Sequence, residues 1–209
     1  MRIGEQPMLD VEDVRLLGRK ALYRLVTVVE RRSGEVGSHS RQMSRLVEAV
    51  AAELDIPAER RALLVEASLF HDIGKIAVPH GILARTGPLT PEERAVVQTH
   101  TELGHWLLAD RSCPVLDLAA EIALHHHENM DGSGYPHALT GAAIPVEARI
   151  VHVCDVFDAL TSDRTYRPAY TVIEALRMIT TDTGTAFDPE VVDALTSVVP
   201  EGACIVAAA

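Results

Sequence analysis

The chain has 209 residues, of which 47% are hydrophobic but only 4% aromatic, and it carries a formal charge of −11. That length suits one well-buried domain, or one domain with a short appendage, and the aliphatic bias suits a helical core better than an aromatic-rich β-sandwich. The negative charge argues against sequence-independent binding to nucleic-acid polymers; no apolar run approaches the ~20 residues that span a bilayer, and MRIGEQPMLD lacks a signal-peptide core.

Helices are predicted near 9–32, 37–54, 57–73, 91–109, 114–128, 146–162, 171–182 and 189–198. Thr90-Pro91-Glu92-Glu93 reads as a helix start, with Thr as N-cap, Pro at the first helical position and Glu at the third; Asp188-Pro189-Glu190 repeats the pattern. The Gly- and Pro-rich stretches 74–90 and 129–145 read as irregular, the kind of loop that carries function on a rigid scaffold. The fold class is therefore all-α. Residues 1–34 form an N-terminal helical segment suited to dimerisation or linkage, and 201–209 form a tail. Cys113, Cys154 and Cys204 are widely spaced with no C-x-x-C pair, which fits a reduced, cytoplasmic setting.

Whether a histidine or acid continues an apolar stripe tells which way it faces. In PVLDLAAEIALHHH, Leu118 and Ile122 lead to His126, and Ala119 and Ala123 lead to His127. Asp117 and Glu121 lead to His125, which is predicted to face solvent and to be dispensable for metal. His71 follows Leu64 and Ala67 and faces inward beside Asp72, in a helix that ends at Gly74. His100 follows Val96 and Val97 and faces inward, and Gly104 one turn on leaves room for a close neighbour. His105 continues Gln98 and Thr101 and is assigned to the surface. Asp155 and Asp158 both border apolar stripes, so the pattern does not choose between them. Glu35 and His39 have i, i+4 spacing and share a face if that turn is helical.

A single inward histidine is ordinarily a hydrogen-bonded core residue. Several, with inward acids in one domain, need mutual satisfaction or a metal. Imidazole and carboxylate without thiolate suit Fe, Mn, Ni, Co or Zn in an open catalytic site rather than a closed structural zinc site. Seven or eight such groups exceed what one ion uses, so two or three divalent ions sharing a carboxylate are expected, with Asp72 suited to bridge.

These residues resemble a known family. His71-Asp72-Ile73-Gly74-Lys75 resembles the signature of the HD metal-dependent phosphohydrolases. HHENMDGSGYP and IPVEARIVHVCDVFDALTSDRTYR resemble the HD-GYP subfamily, over about residues 35–192. The resemblance implies a single HD-type helical bundle, a catalytic domain over 35–200 with the extra N-terminal helix before it. It implies hydrolysis of cyclic di-GMP, and metal ligands at His39, His71, Asp72, His100, His126, His127 and Asp155. Glu35 matches an acid found where a third metal is held, and Lys75, Arg164 and Arg167 match residues placed near substrate phosphate. Arginine suits phosphate because its planar fork binds bidentately.

Asn129-Met130 stands where an Arg-Trp type pair is common; Arg85 replaces a usual lysine and Thr165 a usual proline. The implied reaction uses a metal-bridged hydroxide to open the phosphodiester, giving linear pGpG and, after a second cut, GMP, with Asp72 and Lys75 in the catalytic set. Tyr135 is placed to close over substrate or partner, and the GYP loop to contact a diguanylate cyclase domain. Two alternatives keep the fold: an HD enzyme acting on another cyclic dinucleotide or nucleotide, and a non-catalytic cyclic di-GMP sensor or docking module.

Overall fold

A computed structural model describes residues 11–33, 39–163 and 168–199, with side chains over 17–33, 42–163 and 168–199. The α-helices are α1 (Val11–Arg32), α2 (His39–Glu53), α3 (Ala58–Ser68), α4 (His80–Leu83), α5 (Pro91–Gln98), α6 (His100–Leu108), α7 (Pro114–His125), α8 (Val146–Thr161), α9 (Val172–Thr181) and α10 (Pro189–Val198), with a 3₁₀ segment at Ile73–Ala77. Among the described residues there is no strand, only two isolated bridges. The all-α expectation holds.

α7 packs against α3, α6 and α8, while α2 packs against α3, α8 and α10. Met43, Leu64, Phe70, Ile122, Ile150 and Phe157 are all at most 1% exposed in the core between them. Each such side chain contributes about 1.5–3 kcal/mol through its removal from water. α1 is different. It buries Val26 and Val29 and leaves Leu17, Leu25 and Val28 exposed. Its attachment to the bundle includes Arg32, which donates to the carbonyls of Ile76 (2.7 Å) and Val78 (3.0 Å).

The Thr90 capping box forms as read, and Thr171 with Glu174 makes a second one. The Asp188 carboxylate accepts from the Glu190 N–H at 2.9 Å. Three predicted helices end early or break. The 57–73 helix stops at Ser68 because the chain tightens: Phe70 and His71 N–H donate to Ala67 and Ser68, three residues back instead of four. The 91–109 helix breaks at Thr99, whose hydroxyl donates to the Val96 carbonyl at 2.8 Å and competes with the backbone ladder. The 114–128 helix ends at His125, with His126 as its cap. These deviations put His71, His100 and His126 at helix ends.

Candidate metal centre

Gly74 sets the approach of the 3₁₀ segment to α6. A Cβ there would lie 1.9 Å from the His100 carbonyl oxygen and 2.6 Å from the Gly104 nitrogen, so only glycine fits. The expected close approach at Gly104 is thus backbone against backbone. It brings His100 Nε2 to 3.2 Å from Asp72 Oδ1.

His126 Nε2 lies 3.8 Å from the same Asp72 oxygen. His71 Nε2 lies 3.4 Å from Asp72 Oδ2 and 3.8 Å from Asp155 Oδ1. Of the two acids the sequence left open, Asp155 is the one that faces His71. Ligand atoms of Asp72, His100, His126 and His127 all fall within 4.8 Å of one another. The rings pack edge to face: His71 on His126 at 5.1 Å and His100 on His127 at 5.1 Å.

The backbone fixes the tautomers. His71 Nδ1 faces the Ser68 carbonyl at 2.8 Å, His100 Nδ1 the Val97 carbonyl at 2.7 Å, and His126 Nδ1 the Ile122 and Ala123 carbonyls at 3.0 Å. A carbonyl only accepts, so each Nδ1 carries the proton and each Nε2 offers a lone pair to the centre. Metal-bound histidines are oriented in this way. His100 Nε2, His126 Nε2 and Asp72 Oδ1 are buried with no hydrogen-bond partner among the described residues. Leaving each unsatisfied costs about 1–3 kcal/mol. Lone pairs aimed at one another across a carboxylate fit a divalent transition metal, so the residues present suit the group that the sequence implied.

Electrostatics agree. Burial pushes the Asp72 carboxyl up, but the adjacent Lys75 ammonium outweighs it and holds the group well below the usual carboxylate range. Lys75 Nζ donates to Asp72 Oδ2. Burial holds His126 neutral, down to about 3, and lowers His127 as well. Metal binding requires these neutral forms.

Tyr135 stacks on His127 with ring centroids 4.8 Å apart, and its N–H donates to the His127 carbonyl at 3.1 Å. Burial raises its phenol, which stays a protonated donor. Gly134 allows this turn, because a Cβ would lie 2.3 Å from the Asn129 nitrogen and 2.5 Å from the His127 oxygen. Lys75 also lines a cleft of about 530 Å³, together with Ser33, Leu83, Arg85, Leu89 and Val97. The Arg85 guanidinium pairs with the Glu93 carboxylate.

Two histidine assignments are corrected. His125 is 8% exposed instead of solvent-facing, because its ring packs against His137 from the loop that follows. His105 is half-buried, with Nδ1 3.3 Å from the Ala120 carbonyl, because α7 lies against that side of α6. Glu35, Arg164 and Arg167 lie outside the described residues, as does the side chain of His39.

Sequence reasoning missed His152 and left open whether Glu128 caps its helix or supports the site. Glu128 is 1% exposed and accepts from the N–H groups of His137 (2.7 Å) and Leu139 (3.0 Å), which staples the glycine-rich loop to the end of α7. His152 is buried, donates from Nδ1 to the Glu128 carbonyl at 3.0 Å, and packs its ring on Phe187. Its signal was available: it lies four residues after Ala148 and three before Asp155, on one helix face.

Imidazoles at helix ends converging on one aspartate, inside an all-helical bundle, define a metal-site protein of the HD class. The chain belongs to the HD-domain family, whose model matches residues 24–191, and its motifs are consistent with the HD-GYP type. It is 42% identical over 93% of its length to the cyclic di-GMP phosphodiesterase response regulator RpfG of Xanthomonas campestris, and covers 52% of that protein. It is 36% identical over 88% of its length to the 3'3'-cGAMP-specific phosphodiesterase 2 of Vibrio cholerae, and covers 35% of that protein. The chain therefore spans about half or less of these relatives. The solved structure of Bd1817, an HDG"Y"P protein from Bdellovibrio bacteriovorus, shares the fold with a TM-score of 0.65 at 20% identity, over 90% of this chain and 64% of that one. No helix among the described residues is long and apolar enough to cross a membrane.

Proposed function

We propose that the chain is a metal-dependent phosphodiesterase that hydrolyses cyclic di-GMP to pGpG and/or GMP. The convergence of Asp72, His100, His126 and His127 on one point beside Lys75 carries this reading. His71 and Asp155 complete the described ligand set, and His39 and Glu35 extend it. Two or three divalent ions, with iron or manganese preferred, supply an activated water and neutralise phosphate charge when bound. Water adds across the P–O3′ bond, its oxygen to phosphorus and a proton to the leaving 3′-oxygen.

The chain's own groups do the positioning. Lys75 sits between Asp72 and the cleft, where its ammonium meets a phosphate oxygen, and Arg164 and Arg167 supply further donors. Tyr135, held against His127, offers its hydroxyl to the substrate from the loop side. The cleft of about 530 Å³ has the size of small-molecule sites. Residues 35–200 form the catalytic unit, which acts in the cytoplasm. The exposed apolar residues of α1 suit a homodimer or a link to a further domain, and the GYP loop suits docking of a diguanylate cyclase domain.

A second substrate, 3'3'-cGAMP, is favoured by the relative that bears that specificity. Metal-loaded protein is incubated with cyclic di-GMP, 3'3'-cGAMP, cyclic di-AMP and 2',3'-cyclic nucleotides, and products are identified by mass. Preferred conversion of cyclic di-GMP to pGpG supports the proposal. Preferred turnover of another nucleotide, or tight binding with no turnover in any divalent metal, overturns it.

A further inference from the structure

A second cluster of metal-ligating atoms lies on the other side of the α7 terminus. His125, Glu128 and His137 each offer a ligand atom, and these atoms fall within 4.8 Å of one another. His125 is 8% exposed and Glu128 1%, while His137 is exposed and closes the group from the solvent side. The rings of His125 and His137 lie 5.6 Å apart. None of the three belongs to the ligand set of the main centre.

The second observation is an unsatisfied atom. His125 Nδ1 is buried with no hydrogen-bond partner among the described residues, unlike the Nδ1 atoms of His71, His100 and His126. Its Nε2 lies 3.7 Å from Glu121 Oε2, so the carboxylate one turn back faces the other nitrogen of the ring. Both Glu128 oxygens accept one backbone N–H, and each keeps a second lone pair. Two imidazoles and a carboxylate match the three protein ligands of an open zinc-class site, with water in the fourth position. Bonds of about 2.0–2.1 Å require the ligand atoms to draw closer than they stand, and the exposed His137 side chain has the room to move.

We propose that His125, Glu128 and His137 bind one zinc-class divalent cation, separate from the main centre, which pins loop 129–140 to the end of α7. The ion adds a direct link between His125 on the helix and His137 on the loop, where Glu128 already staples the backbone. Through that loop it fixes the position of Tyr135 over His127.

The test uses the full chain as wild type, His137→Ala and His137→Gln. Because His137 is exposed, neither substitution removes core packing. Each protein is saturated with Zn²⁺, desalted and assayed for zinc per chain, and amide hydrogen exchange of segment 129–140 is followed with and without zinc. Wild type is expected to retain about one more zinc ion per chain than either variant. Zinc should slow exchange at His137 and Leu139 in wild type and leave both variants unchanged. Equal zinc content in all three overturns the site; a zinc difference without a change in exchange overturns the pinning. Neither readout depends on turnover, so this proposal and the phosphodiesterase reading fail separately.

Discussion

The two sides of the α7 terminus hold histidine clusters built on different plans. On the inner side, three histidines anchor Nδ1 on helix-end carbonyls and aim Nε2 at Asp72. On the outer side, His125 has no such anchor, and the carboxylate is already engaged with backbone N–H groups. Adjacent residues can therefore belong to different sites, because neighbours on a helix point about 100° apart. Pre-oriented ligands around an open carboxylate suit chemistry; a half-satisfied cluster closed by an exposed side chain suits a clamp.

Removing the inner carboxylate should have the largest effect. Asp72→Ala is expected to lose iron or manganese from the inner centre and to abolish cyclic di-GMP hydrolysis, read by elemental analysis for those two metals and by product assay; unchanged iron or manganese content with unchanged hydrolysis breaks the inner-outer contrast. Gly74→Ala drives a methyl group into the His100 carbonyl. It should cost about 1–3 kcal/mol in urea unfolding and weaken metal binding through displacement of His100. Glu128→Gln keeps the shape but weakens the acceptors of the loop staple, and should raise KM about tenfold with little change in kcat.

Acid sharpens the same contrast in metal-free protein. Burial depresses His126, His127 and His152 below the ordinary 6.5, so the unfolded chain takes up protons first as pH falls. Their contribution to stability is complete above about pH 6.5 and declines below it, toward the folded value of about 3 for His126. Urea midpoints measured at pH 7.5 and 5 should fall accordingly, and bound metal should reduce the fall. The smallest effect is on the outer side, where His137→Ala should keep kcat within about twofold of wild type.

Much of the inner side was legible in sequence. Stripe logic turned His71, His100, His126 and His127 inward, and it succeeded even though three of them sit at helix ends, because the tightened turns keep near-helical direction. It failed for His125, since a stripe registers only the helix's own neighbours and not a loop that returns over its end. The choice between Asp155 and Asp158 also needed tertiary contact, because both border apolar stripes and only packing decides which meets His71. Glu128 was indeterminate for the same reason: its partners are backbone groups nine and eleven residues on, with no side-chain pattern.

The proposed function stands or falls with the Asp72–His100–His126–His127 cluster as the metal centre of a cyclic di-GMP phosphodiesterase. Its most direct test is anaerobic chelation of the wild-type protein followed by stepwise return of Fe²⁺ or Mn²⁺, with hydrolysis and bound metal measured at each step. Turnover is expected to vanish on chelation and to return as ions refill the centre, reaching full rate at about two or more per chain. Undiminished turnover by the chelated protein would contradict the proposed function.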